Sequence, residues 1–190
     1  MDRTRATARR VPHLSRSFFL QPDPMQIRTL STSDAAVFQE LRLRGLQELP
    51  SAFASSYEEE AETPIAVVAQ RLAPQPDRAM FGAFEDQQLI GLVGLQREPM
   101  RKLAHKAFIW GMYVEPGARR RGVGRRLVAH ALAFGANELR VRQVSLGVNA
   151  RNLGAIALYR SLGFEQFGFE RGFMLVDGEL HDELHLVCFV

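Results

Sequence analysis

The segment Arg119-Arg120-Arg121-Gly122-Val123-Gly124, continued by Arg125, Arg126 and Leu127, stands between two apolar runs. Residues 107–114 before it have the composition of a buried strand, and residues 127–139 after it alternate as an amphipathic helix does. Pro116-Gly117 supplies a turn, so the segment falls on the first turn of that helix. Glycines at 122 and 124 let a ligand come close to the backbone. The unpaired N–H groups and the dipole of a helix start favour an anion. Arginines at 119, 120, 121, 125 and 126 add positive charge. Read this way, the segment is a cradle for a diphosphate.

Two common diphosphate sites are excluded. No Gly-x-x-x-x-Gly-Lys-Ser/Thr stretch occurs, and Leu127 stands where the third glycine of a dinucleotide fingerprint would fall. The pattern that does fit is Arg-x-x-Gly-x-Gly after a strand, which resembles the acetyl-coenzyme A signature of the GNAT superfamily of N-acetyltransferases. A second segment strengthens the likeness. Leu146-Gly147-Val148, Asn152, Ala155 and then Leu158-Tyr159-Arg160-Ser161-Leu162-Gly163-Phe164 are similar to the family's Asn-x-x-Ala-x-x-Leu-Tyr helix ending in Gly-Phe. The resemblance spans roughly residues 25–190, and its specific motifs lie within 109–164.

Composition narrows the alternatives. A chain of 190 residues with 46% hydrophobic content suits one domain with a sizeable core. The single cysteine, Cys188, excludes an internal disulfide and fits a reducing, cytoplasmic setting. It lies in an apolar run, so it reads as a core thiol. No apolar run approaches the ~20 residues needed to span a membrane. The formal charge is +3, but five of the 24 basic and only two of the 21 acidic residues precede Met25. Residues 25–190 therefore balance, and the arginine cluster suits a phosphate ligand better than a polynucleotide. Residues 1–24 are expected to form a disordered basic extension, with a single domain over 25–190.

Along that domain, residues 25–30 read as a strand, with Ser33 as N-cap of a helix carrying Val37, Phe38, Leu41 and Leu46 inward. Thr63-Pro64 opens a further helix running to about Leu72. Residues 79–84 and 89–96 form a hairpin around Glu85-Asp86-Gln87-Gln88, in which Gly91 and Gly94 mark a bulge or a close approach. Strand 107–114, the helix after the arginine turn, strand 144–148 and helix 152–162 follow, the last closed by Gly163. Residues 165–176 and 180–190 pair through Asp177-Gly178. The order predicts an α/β (α+β) domain with a mixed sheet of about seven strands and helices on both faces. The resemblance implies that the two central parallel strands splay apart around the cofactor's arm, and that the last hairpin forms a homodimer.

Family likeness also implies the chemistry: an acetyl group passes directly from acetyl-coenzyme A to a primary amine, with no covalent enzyme intermediate. The cofactor would be held by the backbone of Met112, Tyr113 and Val114, by Arg119, Arg120 and Arg121, by the turn Gly122, Val123, Gly124 and Arg125, and by Asn152. Asn152 reads equally as the N-cap of its helix. Tyr159 would stabilise the leaving thiolate; otherwise it is a core aromatic. The base for the amine is left open among His105, Glu115, Tyr113 and the acidic run Glu58, Glu59 and Glu60. Acetylators of ribosomal-protein N-termini carry a glutamate in the strand before the asparagine helix, where this chain has Gly147. His181 and His185 share a strand face but lack a third ligand at suitable spacing, so no metal is expected. The alternative function is a non-catalytic acetyl-coenzyme A-binding sensor or structural protein.

Overall fold

The computed structural model describes residues 25–190, so the basic extension expected over residues 1–24 lies outside the described residues. In chain order the elements are β1 (Met25–Thr29), α1 (Ala35–Glu48), α2 (Tyr57–Ala61), α3 (Ile65–Leu72), β2 (Arg78–Glu85), β3 (Gln88–Arg97) and β4 (Lys106–Val114). Then follow α4 (Val123–Asn137), β5 (Gln143–Asn149), α5 (Leu153–Arg160), β6 (Glu165–Val176) and β7 (Glu179–Phe189). The strands make one seven-stranded sheet in the order β1-β2-β3-β4-β5-β7-β6.

Strands β2 and β3 are buried along nearly their whole length because helices cover both faces of the sheet. Phe81, Val93 and Leu95 join Leu127, Val128 and Leu186 in one apolar cluster, on the α4 and α5 side. Met80, Phe84 and Leu92 join Leu30, Phe38 and Leu46 in the other, under α1 and α3. Cys188 is buried in the first cluster, as its apolar run implies, and burial pushes its thiol up from the ordinary value.

The site is made where the sheet opens. Among the described residues only β4 and β5 run parallel, and they pair only over Lys106, Ala107 and Phe108 against Gln143, Val144 and Ser145. Beyond that point β4 continues to Val114 and β5 to Asn149 with no pairing between them. A bulge in β4 accompanies the divergence. The β3–β4 register shifts between Leu92 and Gly94, and Gly111 takes a φ of +61°. An extra residue at such a point bends the strand and re-aims its side chains.

Two turns are built as their sequences require. Asp177 and Gly178 have φ of 50° and 81°, and Asp86 and Gln87 have 46° and 68°, the left-handed pair of a two-residue hairpin loop. The first helix differs from expectation. A short 3-10 turn over Thr32–Asp34 precedes it, so α1 begins at Ala35 and Ser33 is not its N-cap. The buried stripe of α1 is Ala35, Phe38, Leu41, Arg42, Gly45 and Leu46, and Val37, expected inward, falls on the outer face at 43% exposure. No helix among the described residues is long and apolar enough to cross a membrane.

Candidate active site

A cavity of about 740 Å³ lies between the diverging ends of β4 and β5. Met112, Tyr113 and Val114 line it from β4, and Asn152 and Tyr159 from α5. Arg119, Arg120 and the helix start Gly122, Val123, Gly124 and Arg125 close one end. Arg121, expected among them, is not in its wall. The backbone turns through left-handed conformations at Arg120 (φ 59°) and Gly122 (φ 83°), and the Arg121 side chain between them pairs with Glu85 at the end of β2.

The helix end is built for an anion. Gly122 caps α4 without a side-chain hydrogen bond, so the N–H groups of the first turn have no capping acceptor. A methyl group on Gly124 would meet Met112 Cε at 2.8 Å and Leu158 Cδ2 at 3.2 Å, so glycine there keeps the approach open. Arg119 is held from two sides: Nε donates to the Val114 carbonyl at 2.9 Å, and Nη1 pairs with Glu48 at 2.7 Å. Its third nitrogen, Nη2, is buried without a partner among the described residues. An unpartnered buried guanidinium nitrogen beside an uncapped helix start fits the pyrophosphate of a coenzyme A group. Arg125, by contrast, is engaged with Ser161, through its carbonyl at 3.1 Å and its hydroxyl at 2.8 Å.

Along β4, the Tyr113 side chain faces α1 rather than α5. Its hydroxyl donates to Glu48 Oε2 at 2.5 Å, and burial together with that carboxylate pushes it up to about 12. It is a brace, not a base. At the start of α5, Asn152 Oδ1 accepts the Ala155 N–H at 3.1 Å as the helix cap, which leaves its Nδ2 to donate to a ligand. Tyr159 is buried, edge-on to Phe164 at 5.7 Å between ring centres, and burial pushes its hydroxyl up to about 12.

The other candidate bases are elsewhere or engaged. His105 is an exposed residue just before β4, at the closed end of the β4–β5 pair, and is not in the cavity wall. Glu115 pairs with Arg44 at 2.7 Å. Glu59 accepts the Ser56 N–H at 2.8 Å, capping α2, and Glu60 takes Arg42 at 2.8 Å. Glu183, on β7, is not in the cavity wall either, but its carboxyl group stands beside a residue that is. A methyl group on Gly147, a cavity-lining residue, would lie 2.1 Å from Glu183 Oε1 and 2.4 Å from its carboxyl carbon. The Glu183 carboxyl group therefore covers the face of Gly147. Its side chain is 14% exposed, with His185 Nδ1 at 3.6 Å. Burial pushes Glu183 up, with His185 opposing and Glu170 adding to the shift. His181, two residues earlier on the strand, does line the cavity, 3.3 Å from the Asn149 amide. Strand alternation also puts Glu183, not among the bases expected from the sequence, on the face that His181 and His185 share; that this face adjoins Gly147 depends on β7 pairing with β5.

A family model described as the Acetyltransferase (GNAT) family matches residues 43–164, more than half of the chain. N-alpha-acetyltransferase RimI of Mycobacterium tuberculosis is 33% identical over 119 residues, 60% of this chain and 69% of that protein. L-amino acid N-acetyltransferase AaaT of Escherichia coli is 30% identical over 119 residues, 62% of this chain and 72% of that one. Among solved structures, a GNAT-family acetyltransferase from Streptococcus pneumoniae superposes with a TM-score of 0.73 at 19% identity, over 87% of this chain and 99% of that chain. The chain, with its sheet opened between β4 and β5 and an anion cradle at the start of α4, belongs to the GNAT family as an N-acetyltransferase that uses acetyl-coenzyme A.

Proposed function

We propose that residues 25–190 form one acetyltransferase unit whose acceptor is an α-amine, with Glu183 receiving the amine's proton and Tyr159 supporting the leaving sulfur. When bound, acetyl-coenzyme A supplies an activated acetyl thioester. The α4 N–H groups and Arg119 Nη2 would bind its pyrophosphate. Backbone groups of Met112 and the Nδ2 of Asn152 would hold its arm; the Val114 carbonyl already accepts from Arg119.

The carrying observation is the Glu183 carboxyl group over Gly147, the place where N-terminal acetylators carry a glutamate. Its upward shift narrows the gap to the amine it must deprotonate. An α-amine near 8 is an easier donor than a lysine near 10.4. The names of the relatives, N-alpha-acetyltransferase and L-amino acid N-acetyltransferase, point to the same class. Tyr159 at about 12 stays protonated at every working pH. Full proton transfer from it to a thiolate with a conjugate thiol near 8.5 is uphill by about 5 kcal/mol. Its role is therefore to donate a hydrogen bond to the departing sulfur.

Thiol release from acetyl-coenzyme A, measured with α-amines, lysine ε-amines and polyamines, tests the reading. Turnover should favour α-amines and fall in both Tyr159→Phe and Glu183→Gln. Equal turnover of ε-amines, or variants as fast as the parent, would overturn it.

A further inference from the structure

We propose that a second cavity, on the α1–α3 face, is the acceptor subsite, and that its arginines take the carboxylate of an amino acid with an apolar side chain. The inference rests on the acetyl-transfer reading above and names its substrate class. This cavity has a volume of about 310 Å³, and Trp110 lines both it and the larger one.

Its charge is unbalanced and its donors are unfilled. Arg42, Arg71 and Arg78 line it against a single carboxylate, Glu60. The Arg42 side chain is only 8% exposed. Two of its nitrogens are engaged: Nε with Glu60 at 3.1 Å, and Nη2 with Glu60 at 2.8 Å and Ser55 Oγ at 3.4 Å. Nη1 is buried without a partner, and so is Nε of Arg78. Leaving such donors dry is costly, and a carboxylate that draws either side chain towards the cavity both arginines line would satisfy it. The remaining wall includes buried Leu30, Phe38, Leu72 and Met80.

The location ties this anion site to the reaction. Arg42 Nη1 lies 3.7 Å from where a methyl group on Gly111 would stand, and Gly111 is the bulge residue of β4 that lines the larger cavity. In an α-amino acid the amine is attached to the carbon next to the carboxyl group. A carboxylate anchored at Arg42 therefore keeps the amine beside the β4 bulge, at the junction of the two cavities. A decarboxylated amine, an amide or a peptide N-terminus offers no carboxylate there.

Trp110 is the chain's single tryptophan, so its emission reports this subsite without any catalytic turnover. The protein is titrated with L-leucine and with leucinamide, in the parent and in Arg78→Gln, which leaves the Arg42–Glu60 pair in place. Leucine should change the emission saturably, leucinamide far less, and Arg78→Gln should weaken leucine by about tenfold or more. Equal response to leucinamide, no response to leucine, or unchanged affinity in Arg78→Gln would overturn the subsite. The same amines are run in the thiol-release assay. Leucinamide acetylated as efficiently as leucine sinks the subsite and leaves acetyl transfer standing. Leucine seen at Trp110 with no thiol released from any amine supports the subsite and sinks the catalytic roles proposed above.

Discussion

Moving the Glu183 carboxyl group from β7 to β5 is the sharpest test of its proposed role. Glu183→Ala removes the proton acceptor, and loss of a positioned base costs about 10²–10⁴ in rate, or roughly 3–5 kcal/mol of barrier. Gly147→Ala should act on the same group indirectly, because its methyl would stand 2.1 Å from Glu183 Oε1 and push the carboxyl group aside. The double variant Gly147→Glu with Glu183→Ala places a carboxyl group back in the vacated volume from the neighbouring strand. It should recover about tenfold or more over Glu183→Ala alone, a fraction of the ~10²–10⁴ that a positioned base supplies. The assay is kcat/KM for an α-amine from pH 5 to 9. In the parent the rate rises as Glu183 ionises through its raised pKa. Without Glu183 that limb vanishes, and the rate follows the free-amine fraction towards the amine pKa near 8. Unfolding does not confuse the result. Burial disfavours the charged carboxylate, so the folded state holds the proton more tightly than the unfolded one. Ionised Glu183 therefore weakens the fold above its pKa, and Glu183→Ala should melt no lower than the parent at pH 7. An alanine variant that keeps both the parental rate and its acid limb would refute the reasoning.

Five further outcomes are expected. Gly122→Ala meets no atom within 4 Å but must hold a φ of +83°, so it should cost about 1–2 kcal/mol in urea denaturation. Gly124→Ala instead crowds Met112 and Leu158, so it should raise the KM for acetyl-coenzyme A with little change in stability. Tyr113→Phe removes the hydroxyl that braces Glu48 and should lose about 1–2 kcal/mol of stability while leaving the pH–rate profile unmoved. Asp34 accepts Arg28 at 2.7 and 2.9 Å and the Ser31 N–H at 2.8 Å, which hold it well below the usual carboxylate range. The stability it adds is present above the ordinary carboxylate pKa and is lost as pH falls towards the folded value. Asp34→Asn should therefore cost about 1–2 kcal/mol at pH 7, the partly exposed Arg28 being screened, and much less at pH 2. Phe167, Phe169, Leu175 and Leu180 are exposed on the β6–β7 hairpin, and sedimentation should show a dimer that Phe167→Asp with Leu175→Asp converts to a monomer.

What could be read along the chain was local. The Asp177-Gly178 turn, the apolar runs of β2 and β3, the Gly122 helix start and the Asn152 cap each depend on residues a few positions apart. The misplacements were local in origin too. Val37 stands one position, about 100° around the helix, from Phe38 and so falls off the buried stripe wherever α1 starts. Arg121 looked equivalent to Arg119 in the run of arginines, yet left-handed turns on either side of it send it to Glu85. Ion-pair partners were beyond reach, because Glu48 and Arg119, or Arg42 and Glu60, meet only through the packing of separate elements. Strand order was beyond reach for the same reason. The chain makes β6 before β7, but β7 occupies the place beside β5 and leaves β6 at the edge. That insertion brings Glu183 to a glycine 36 positions earlier in the numbering.

The two anion subsites then share one support, helix α1. Glu48 at its last turn accepts from Tyr113 and Arg119, and Arg42, nearly two turns earlier, donates to Glu60 and Ser55. In each case a carboxylate fixes an arginine and leaves one guanidinium nitrogen, Arg119 Nη2 or Arg42 Nη1, buried and unpaired in the described residues. A buried donor without an acceptor costs about 1–3 kcal/mol, so neither arrangement benefits the fold standing alone. Both become favourable when an anion arrives, a phosphate at one end of the opened strand β4 and a carboxylate at its bulge. The donors are already oriented, so little side-chain entropy is lost on binding. Held by one rigid helix, the two anions would fix the spacing between the acetyl donor and the amine, which is what direct transfer without an enzyme-bound intermediate requires.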